Sequence, residues 1–223
     1  ISKIMQKLQT GPTTIQKIYR KLVIAWERVN GIDFSTVIPV ADLGLDHSLV
    51  LKGSPSGNKY LTQLFDKLNI GPNEKILDLG CAKGDAIRCM LKFPFSNVDG
   101  IEISDILSKI AVNNFRKLNE KRVNITNVDA AHFLNYKNYD FFYLYNPFPD
   151  SIMEKVLAQL KAQISPTKEV IIIYNNPVCH DLMLGNGLYK INEFPDMWGN
   201  GIYLYSNFPI SEKLKHLQIQ ACD

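Results

Sequence analysis

The most informative stretch of the chain is Ile76-Leu77-Asp78-Leu79-Gly80-Cys81-Ala82-Lys83-Gly84-Asp85. Its apolar first half predicts a strand, its small residues predict a tight turn, and a helix is expected to begin after the turn. The small side chains of Gly80, Ala82 and Gly84 allow a ligand to come close to the backbone. We expect the N–H groups of the turn and of the helix start to face the carboxylate of that ligand, and Lys83 to face solvent.

An acid at the end of the predicted strand indicates the charge of the ligand. Asp78 lies two residues before the first glycine of the turn. A carboxylate there suits a ligand with an ammonium and a sulfonium group, whereas it repels a pyrophosphate. The G-x-G-x-x-G spacing of dinucleotide-binding proteins is also broken, because positions 80, 82 and 85 read Gly, Ala and Asp. The chain contains no GxxxxGK[ST] phosphate loop, which argues against a P-loop nucleotide hydrolase.

Short apolar strands alternate with amphipathic helices from about residue 58 onward. Strands are predicted at residues 75–79, 97–103, 123–127, 141–145, 169–174, 189–194 and 202–206, with helices at 85–92, 105–118, 151–163 and 177–184. This alternation predicts a mostly parallel sheet with helices on both faces. The turn Gly199-Asn200-Gly201 indicates a C-terminal hairpin, which makes the last strand antiparallel. We therefore predict an α/β fold, a Rossmann-like three-layer α/β/α sandwich around a seven-stranded sheet.

The sequence pattern divides the chain into an N-terminal helix and loop segment, residues 1–54, and a domain over residues 55–223. In the first segment apolar residues recur at helical spacing: Ile15, Ile18, Leu22, Trp26 and Val29. One interpretation is a helix that docks this apolar stripe on the main domain. The other is a lid over the substrate site.

Acids also follow the second and third predicted strands. Glu102, followed by Ile103, ends the second strand, where a carboxylate can accept both ribose hydroxyls of a bound adenosine. After the third strand, Asp129 can take an adenine amino group, with a ring nitrogen on a nearby backbone N–H such as that of Ala130. Asp129 also suits a helix N-cap, and the two roles are compatible.

Together these motifs resemble those of class I S-adenosylmethionine-dependent methyltransferases, over roughly residues 55 to 208. The signature acid-x-Gly-x-Gly-x-Gly of that family is matched by Asp78, Gly80, Ala82 and Gly84, with alanine in place of the middle glycine. The resemblance implies S-adenosylmethionine as cofactor, S-adenosylhomocysteine as product and no metal. The cofactor-binding residues it implies are Asp78, Gly80, Cys81, Ala82, Gly84, Glu102, Ile103, Asp129, Ala130 and Asn146.

The segment Tyr145-Asn146-Pro147-Phe148-Pro149 follows the fourth strand and is the best candidate for the acceptor side. It resembles the (Asp/Asn)-Pro-Pro-(Tyr/Phe) motif of amino-group methyltransferases, with the second proline and the aromatic residue exchanged. It also resembles the Asp-Pro-Trp-Pro segment of tRNA guanine-N7 methyltransferases, without the basic residues that follow there. An alternative is a proline-fixed loop in which Asn146 caps backbone groups.

From this segment we expect two catalytic residues, Asn146 and Tyr145. Substrate contacts are expected from Pro147, Phe148, Asn175 and Asn176, of which the last two end the fifth strand at the same edge of the sheet.

Composition limits the partners and the compartment. Lys and Arg (25) barely exceed Asp and Glu (22) and are spread out, which leaves a nucleic-acid substrate open without favouring it. The four cysteines have no zinc-finger spacing and predict reduced thiols in a cytoplasmic protein. No apolar run approaches the ~18 residues of a membrane span, so we expect no membrane partner. Nothing in the sequence indicates an oligomeric state.

The leading hypothesis is a methyltransferase that acts on a small molecule or polar metabolite. The alternatives are an RNA- or protein-directed N-methyltransferase that uses the Asn146 loop, and a non-catalytic relative that binds cofactor.

Overall fold

The computed structural model describes residues 14–44 and 56–218. A seven-stranded sheet has the order β3-β2-β1-β4-β5-β7-β6. Its strands are β1 (Lys75–Leu79), β2 (Asn97–Glu102), β3 (Ile125–Asn127), β4 (Phe141–Tyr145), β5 (Ile171–Asn175), β6 (Tyr189–Phe194) and β7 (Ile202–Ser206). The first five strands pair in parallel, and β7 lies antiparallel between β5 and β6. The chain therefore runs outward from β1 in one direction to β3, and then crosses back to β4.

Seven α-helices occur in the described ranges. They are α1 (Thr14–Val29), α2 (Lys59–Phe65), α3 (Asp85–Met90), α4 (Asp105–Lys117), α5 (Asp150–Gln163), α6 (His180–Gly185) and α7 (Lys215–Gln218). Short 3₁₀ helices span Val40–Leu43, Ala130–His132 and Tyr136–Asn138. No helix among these residues is long and apolar enough to cross a membrane.

The sheet separates two hydrophobic cores because successive strand residues point to opposite faces. In β4, Phe141 and Tyr143 join one core, which also contains residues of α2 and α3. Phe142 and Leu144 join the other core, with residues of α5. The strands are apolar on both faces, as expected for a parallel sheet covered by helices.

The predicted fold class is confirmed, down to the antiparallel C-terminal hairpin strand. Where bounds were predicted, the observed ends of helices and strands lie within three residues of them. Strands β3 and β5 each begin two residues later than predicted, and for β5 the difference has a local cause. Strand β5 begins at Ile171 rather than at 169, because the Val170 N–H donates to the Asn207 side chain instead of a strand partner (2.9 Å).

The apolar stripe of α1 does not dock on the domain, and that interpretation is wrong. Its members are exposed, from 54% for Ile18 to 87% for Val29. Helix α1 contacts the domain through another face, where Val23 and Ile24 are half-buried and Glu27 is 1% exposed. The Glu27 carboxylate accepts hydrogen bonds from the backbone N–H groups of Phe34 and Ser35 and from the Ser35 hydroxyl (2.8–3.2 Å). A buried carboxylate is tolerated here because these donors replace water.

The chain after α1 belongs to the main core. Ile32 and Phe34 are buried in the core with α2 and α3, and the backbone of Asp33 exchanges two hydrogen bonds with the Asn114 side chain of α4 (2.8 and 2.9 Å). The division predicted at residues 54 and 55 therefore does not separate two packing units in the described chain.

Candidate cofactor site

One cavity opens at the carboxyl ends of β1, β2 and β4, where ligands bind in open α/β sheets. Nearly all the residues that the sequence singled out for cofactor binding line it. They are Asp78, Gly80, Cys81, Ala82, Glu102, Ile103, Asp129, Ala130 and Asn146. Gly84 does not line the cavity but ends the turn beneath it.

The turn after β1 has a left-handed backbone at three alternate positions. The φ angles are +78° at Gly80, +47° at Ala82 and +87° at Gly84. Glycine adopts such angles without strain, whereas alanine at the middle position carries a cost of about 1 kcal/mol. The left-handed turn nevertheless forms with alanine at its middle position.

The two glycines are required by packing as well as by backbone angle. A Cβ atom at Gly80 would lie 2.7 Å from the Cβ of Pro147, and one at Gly84 would lie 2.5 Å from the Phe115 ring. Gly80 thus allows the β4 loop to lie directly against the β1 turn. This contact brings the cofactor candidates and the acceptor candidates to the same cavity.

The amides of the turn are used within the protein. The N–H groups of Gly80 and Cys81 both donate to the Ile101 carbonyl, and that of Gly84 donates to the Cys81 carbonyl (2.8–3.0 Å). The Ala82 N–H donates to Glu102 Oε2 (2.9 Å). The expectation that these N–H groups face a ligand carboxylate is therefore not met at these four positions.

Three buried carboxylates give this end of the sheet its electrostatic character. Asp78, Asp85 and Glu102 line the cavity and are 2%, 8% and 5% exposed. Burial raises the pKa of Asp78 well above its usual value, and repulsion from Glu102 and Asp85 raises that pKa further. Burial also raises the pKa values of Asp85 and Glu102. No hydrogen bond between described residues ends on the Asp78 carboxylate. Such a group is stabilised by a cationic ligand.

The basic side chains near the cavity pair with acids other than Asp78 and Glu102. Lys83 is 4% exposed rather than solvent-facing, and its ammonium contacts Asp33 Oδ2 (2.5 Å) and donates to the Thr36 hydroxyl (2.7 Å). Burial by itself would raise the pKa of Asp33, but hydrogen bonds from Lys83 and Thr36 outweigh it and hold the pKa below its usual value. Arg88 pairs with Asp85 (2.8 Å) and approaches Glu27 (3.6 Å). Among the described residues, Asp78 and Glu102 therefore have no cationic partner.

The second and third acids have internal contacts that fix their positions. Glu102 accepts from the Ala82 and Ser104 N–H groups through different oxygens (2.9 and 2.8 Å). Asp129 caps the Ala130–His132 helix by accepting from the Ala131 N–H (2.9 Å), as the alternative reading proposed. Both carboxylates still line the cavity, and each retains lone pairs for further donors.

The Asn146 loop brings polar groups to the other end of the cavity. Asn146 and Tyr145 are half-buried and line it, and Asn146 has a left-handed backbone (φ +40°). The Tyr174 hydroxyl donates to Asn146 Oδ1 (3.4 Å), which leaves the amide N–H₂ of Asn146 as a donor. Burial, with repulsion from Asp196, raises the pKa of Tyr145, so the phenol is neutral at neutral pH.

Only two of the four residues expected to contact the substrate line the cavity. Pro147 and Phe148 line the cavity, but Phe148 packs with Ala130 and Ile152, next to the residues expected to hold adenine. Asn175 is fully buried, and its N–H₂ group donates to the Tyr143 hydroxyl (3.5 Å). Neither Asn175 nor Asn176 lines the cavity.

Sequence reasoning missed the wall that the N-terminal segment contributes. The side of the cavity after α1 is formed by Phe34, Thr36, Val37, Ile38 and Leu43. The sequence Asp33-x-x-Thr36 is typical of a turn, and in the structure Asp33 accepts a hydrogen bond from the Thr36 N–H (3.1 Å) and closes that turn. Nothing local revealed that this turn binds Lys83. None of the described side chains of α1 lines the cavity, so this wall is formed by the loop after the helix, and the lid interpretation of the N-terminal segment stays a prediction.

In the described part of the chain no group of three His, Cys, Asp or Glu side chains is placed to hold a metal ion.

No protein-family model and no curated protein matches the chain. Solved structures do match. A ribosomal protein L11 methylase from Lactobacillus delbrueckii subsp. bulgaricus aligns at 16% identity over 78% of this chain and 96% of its own, with a TM-score of 0.53. The putative methyltransferase yhhF from Escherichia coli aligns at 18% identity over 68% and 87%, with a TM-score of 0.54. The mitomycin 7-O-methyltransferase MmcR aligns at 12% identity over 66% of this chain, with a TM-score of 0.55, and this chain spans 52% of its length.

This chain has the class I methyltransferase fold. The predicted resemblance is confirmed at the level of the fold.

Proposed function

We propose that the protein is an S-adenosylmethionine-dependent methyltransferase whose acceptor is a small molecule or polar metabolite. The observation that carries the proposal is the pair of buried carboxylates, Asp78 and Glu102, with no cationic partner among the described residues at the mouth of the parallel sheet. A ligand with an ammonium and a sulfonium group lowers the electrostatic cost of such a pair. A nucleotide phosphate would raise it.

Each part of the cavity suits one part of this cofactor. Asp78 would hold the ammonium group, and Glu102 would accept the ribose hydroxyls with the lone pairs that its two backbone donors leave free. Asp129 accepts from the adenine amino group. The apolar side chains of Val128 and Phe148 would supply contact surface for the adenine ring.

Methyl transfer needs little acid–base catalysis from the protein. When bound, S-adenosylmethionine supplies a methyl group on a positively charged sulfur, which is already activated for in-line displacement. The side chains then align the acceptor and exclude water. Asn146 donates from its amide to a polar acceptor atom, because its oxygen is held by Tyr174. Tyr145 is a neutral hydrogen-bonding phenol at neutral pH rather than a base, because its pKa is raised.

The wall of Phe34, Val37 and Ile38 favours a small acceptor, because it covers one side of the cavity. The acidic lining also repels a polyphosphate backbone, which weighs against an RNA acceptor. The similar structures include both a ribosomal protein L11 methylase and a mitomycin 7-O-methyltransferase, so fold alone does not select the acceptor.

A labelling experiment tests the proposal. Purified protein is incubated with methyl-labelled S-adenosylmethionine and, separately, with small-molecule, RNA and protein fractions of a cell extract. We expect label in a small-molecule fraction. Asn146→Ala should reduce that transfer by at least about tenfold while cofactor affinity stays within about twofold.

Asn119→Ala is the matched control, because Asn119 also has a left-handed backbone (φ +53°) but is exposed at the end of α4. It should transfer label at the wild-type rate. Label confined to RNA or protein would replace the proposed acceptor by the macromolecular alternative. Cofactor binding with no transfer to any fraction would favour the non-catalytic alternative.

A further inference from the structure

The exposed stripe of α1 is an apolar surface with no role in the cavity. Six large side chains form it, all more than half exposed: Ile15, Ile18, Tyr19, Leu22, Trp26 and Val29. At 3.6 residues per turn they share an arc of about 100° along the whole helix. No described residue covers this arc. Soluble proteins rarely expose a continuous apolar patch of this kind without a binding function.

The stripe points away from the protein body. Glu27, the buried contact of α1, lies about 130° around the helix from the centre of the stripe. Its three hydrogen bonds to Phe34 and Ser35 attach α1 to the loop that lines the cavity. The stripe is therefore presented outward by a helix whose other face is already held.

Basic residues lie on the face of α1 between its buried side and one edge of the stripe. Lys17, Lys21 and Arg28 are spaced i, i+4 and i+11, so they share one side of the helix, and all three are exposed. The only acid of α1 is Glu27, which is buried and hydrogen-bonded inward. The sequence before α1 adds Lys3 and Lys7, and Glu27 is the first acid of the chain.

This charge pattern selects among possible occupants of the stripe. A second copy docked through the stripe would bring two basic helices together, with no exposed acid on α1 to neutralise them. An anionic surface matches both features, since its headgroups attract the lysines while its apolar layer accepts the stripe. Tyr19 and Trp26 are amphipathic side chains of the type that occupies the boundary between the two layers.

We propose that α1 docks the protein on the surface of an anionic lipid bilayer, with the helix in the headgroup plane and the stripe inserted below it. The expectation of no membrane partner rested on the lack of a spanning segment, and a surface helix needs none. The proposal is independent of the methyl-transfer reaction. It concerns only where the protein binds, and a failed labelling experiment does not affect it.

Vesicle sedimentation of the full chain tests the proposal. We expect the protein to sediment with vesicles of phosphatidylcholine and phosphatidylglycerol and to stay in solution with phosphatidylcholine alone. Leu22→Glu should lower the partition coefficient by at least about tenfold. It removes a leucine that inserts into the bilayer and adds a negative charge that the anionic headgroups repel. Lys17→Ala and Lys21→Ala should each lower it about fivefold.

Leu134→Glu is the matched control, because Leu134 is a leucine of similar exposure, 72% against 64% for Leu22, and lies outside α1. It should partition as the wild type does. In a Trp198→Phe background Trp26 is the single tryptophan, and its emission should shift to the blue only when anionic vesicles are added.

Three results would overturn the proposal. One is equal partition of wild type and Leu22→Glu. Another is a wild-type dimer in light scattering that Leu22→Glu dissociates, since a second copy would then cover the stripe. The third is Trp26 emission from a monomer that is already blue without vesicles, since the chain itself would then cover it.

Discussion

Replacing Gly80 with alanine perturbs the contact on which the combined cavity depends. Two costs follow from the structure. The backbone at Gly80 has φ +78°, where alanine loses about 1–2 kcal/mol. The added Cβ would lie 2.7 Å from Pro147 Cβ, and relieving such an overlap in a packed region costs about 1–3 kcal/mol. We expect Gly80→Ala to lower the free energy of unfolding by about 2–5 kcal/mol.

Gly187→Ala separates the two costs. Gly187 has nearly the same backbone angle, φ +82°, but no heavy atom within 4 Å of its added Cβ. Its loss should be the backbone cost alone, about 1–2 kcal/mol. Urea denaturation of both variants measures the difference. Only Gly80→Ala should weaken S-adenosylmethionine binding, because Gly80 belongs to the β1 turn that lines the cavity and Gly187 does not. Equal stability losses in the two variants, with unchanged cofactor affinity in Gly80→Ala, would refute this reasoning.

Three further predictions concern the charges and the turn. Because burial raises the pKa of Asp78 in the folded protein, the unfolding free energy without cofactor should rise as pH falls from that raised pKa towards the ordinary value of 3.8. Urea titrations over this window should show a flatter profile for Asp78→Asn, and an unchanged profile would refute the assignment. Lys83→Met leaves the partly exposed Asp33 without its cation, so it should cost about 1–3 kcal/mol, part of which Asp33→Asn should restore; additive losses in the double variant would contradict the pairing. Ala82→Gly relieves a left-handed alanine but loosens the unfolded chain, so denaturation should show a change within about 1 kcal/mol, and a larger loss would mean that the alanine side chain packs favourably.

Local patterns predicted the central part of the molecule well. The strand and turn from Lys75 to Gly84 are encoded by nearby residues, because an apolar run favours a buried strand and glycines permit the left-handed turn that follows. The positions of Glu102 and Asp129 then follow from the parallel sheet, which brings strand ends to one edge. For this reason the cofactor candidates lie together in the structure.

The remaining errors come from contacts between distant residues. Lys83 is buried because its ammonium forms an ion pair with Asp33, fifty positions earlier. No local pattern encodes that pairing. The stripe of α1 has the periodicity of a docking helix, but the helix buries the face that carries Glu27 instead. Asn175 ends its strand at the expected edge, yet its side chain turns into the core rather than the cavity. Periodicity predicts that a face is apolar, and it does not predict what covers that face.

The most direct test of the central claim is calorimetric titration of S-adenosylmethionine and S-adenosylhomocysteine into wild type, Asp78→Asn and Asp99→Asn. Asp99 is a matched control, because it is also buried with a pKa raised by burial but does not line the cavity. We predict that wild type and Asp99→Asn bind both ligands alike, and that Asp78→Asn weakens both by about 1–3 kcal/mol, since both ligands carry the ammonium group. Absence of binding to wild type, or equal affinities in wild type and Asp78→Asn, would contradict the account.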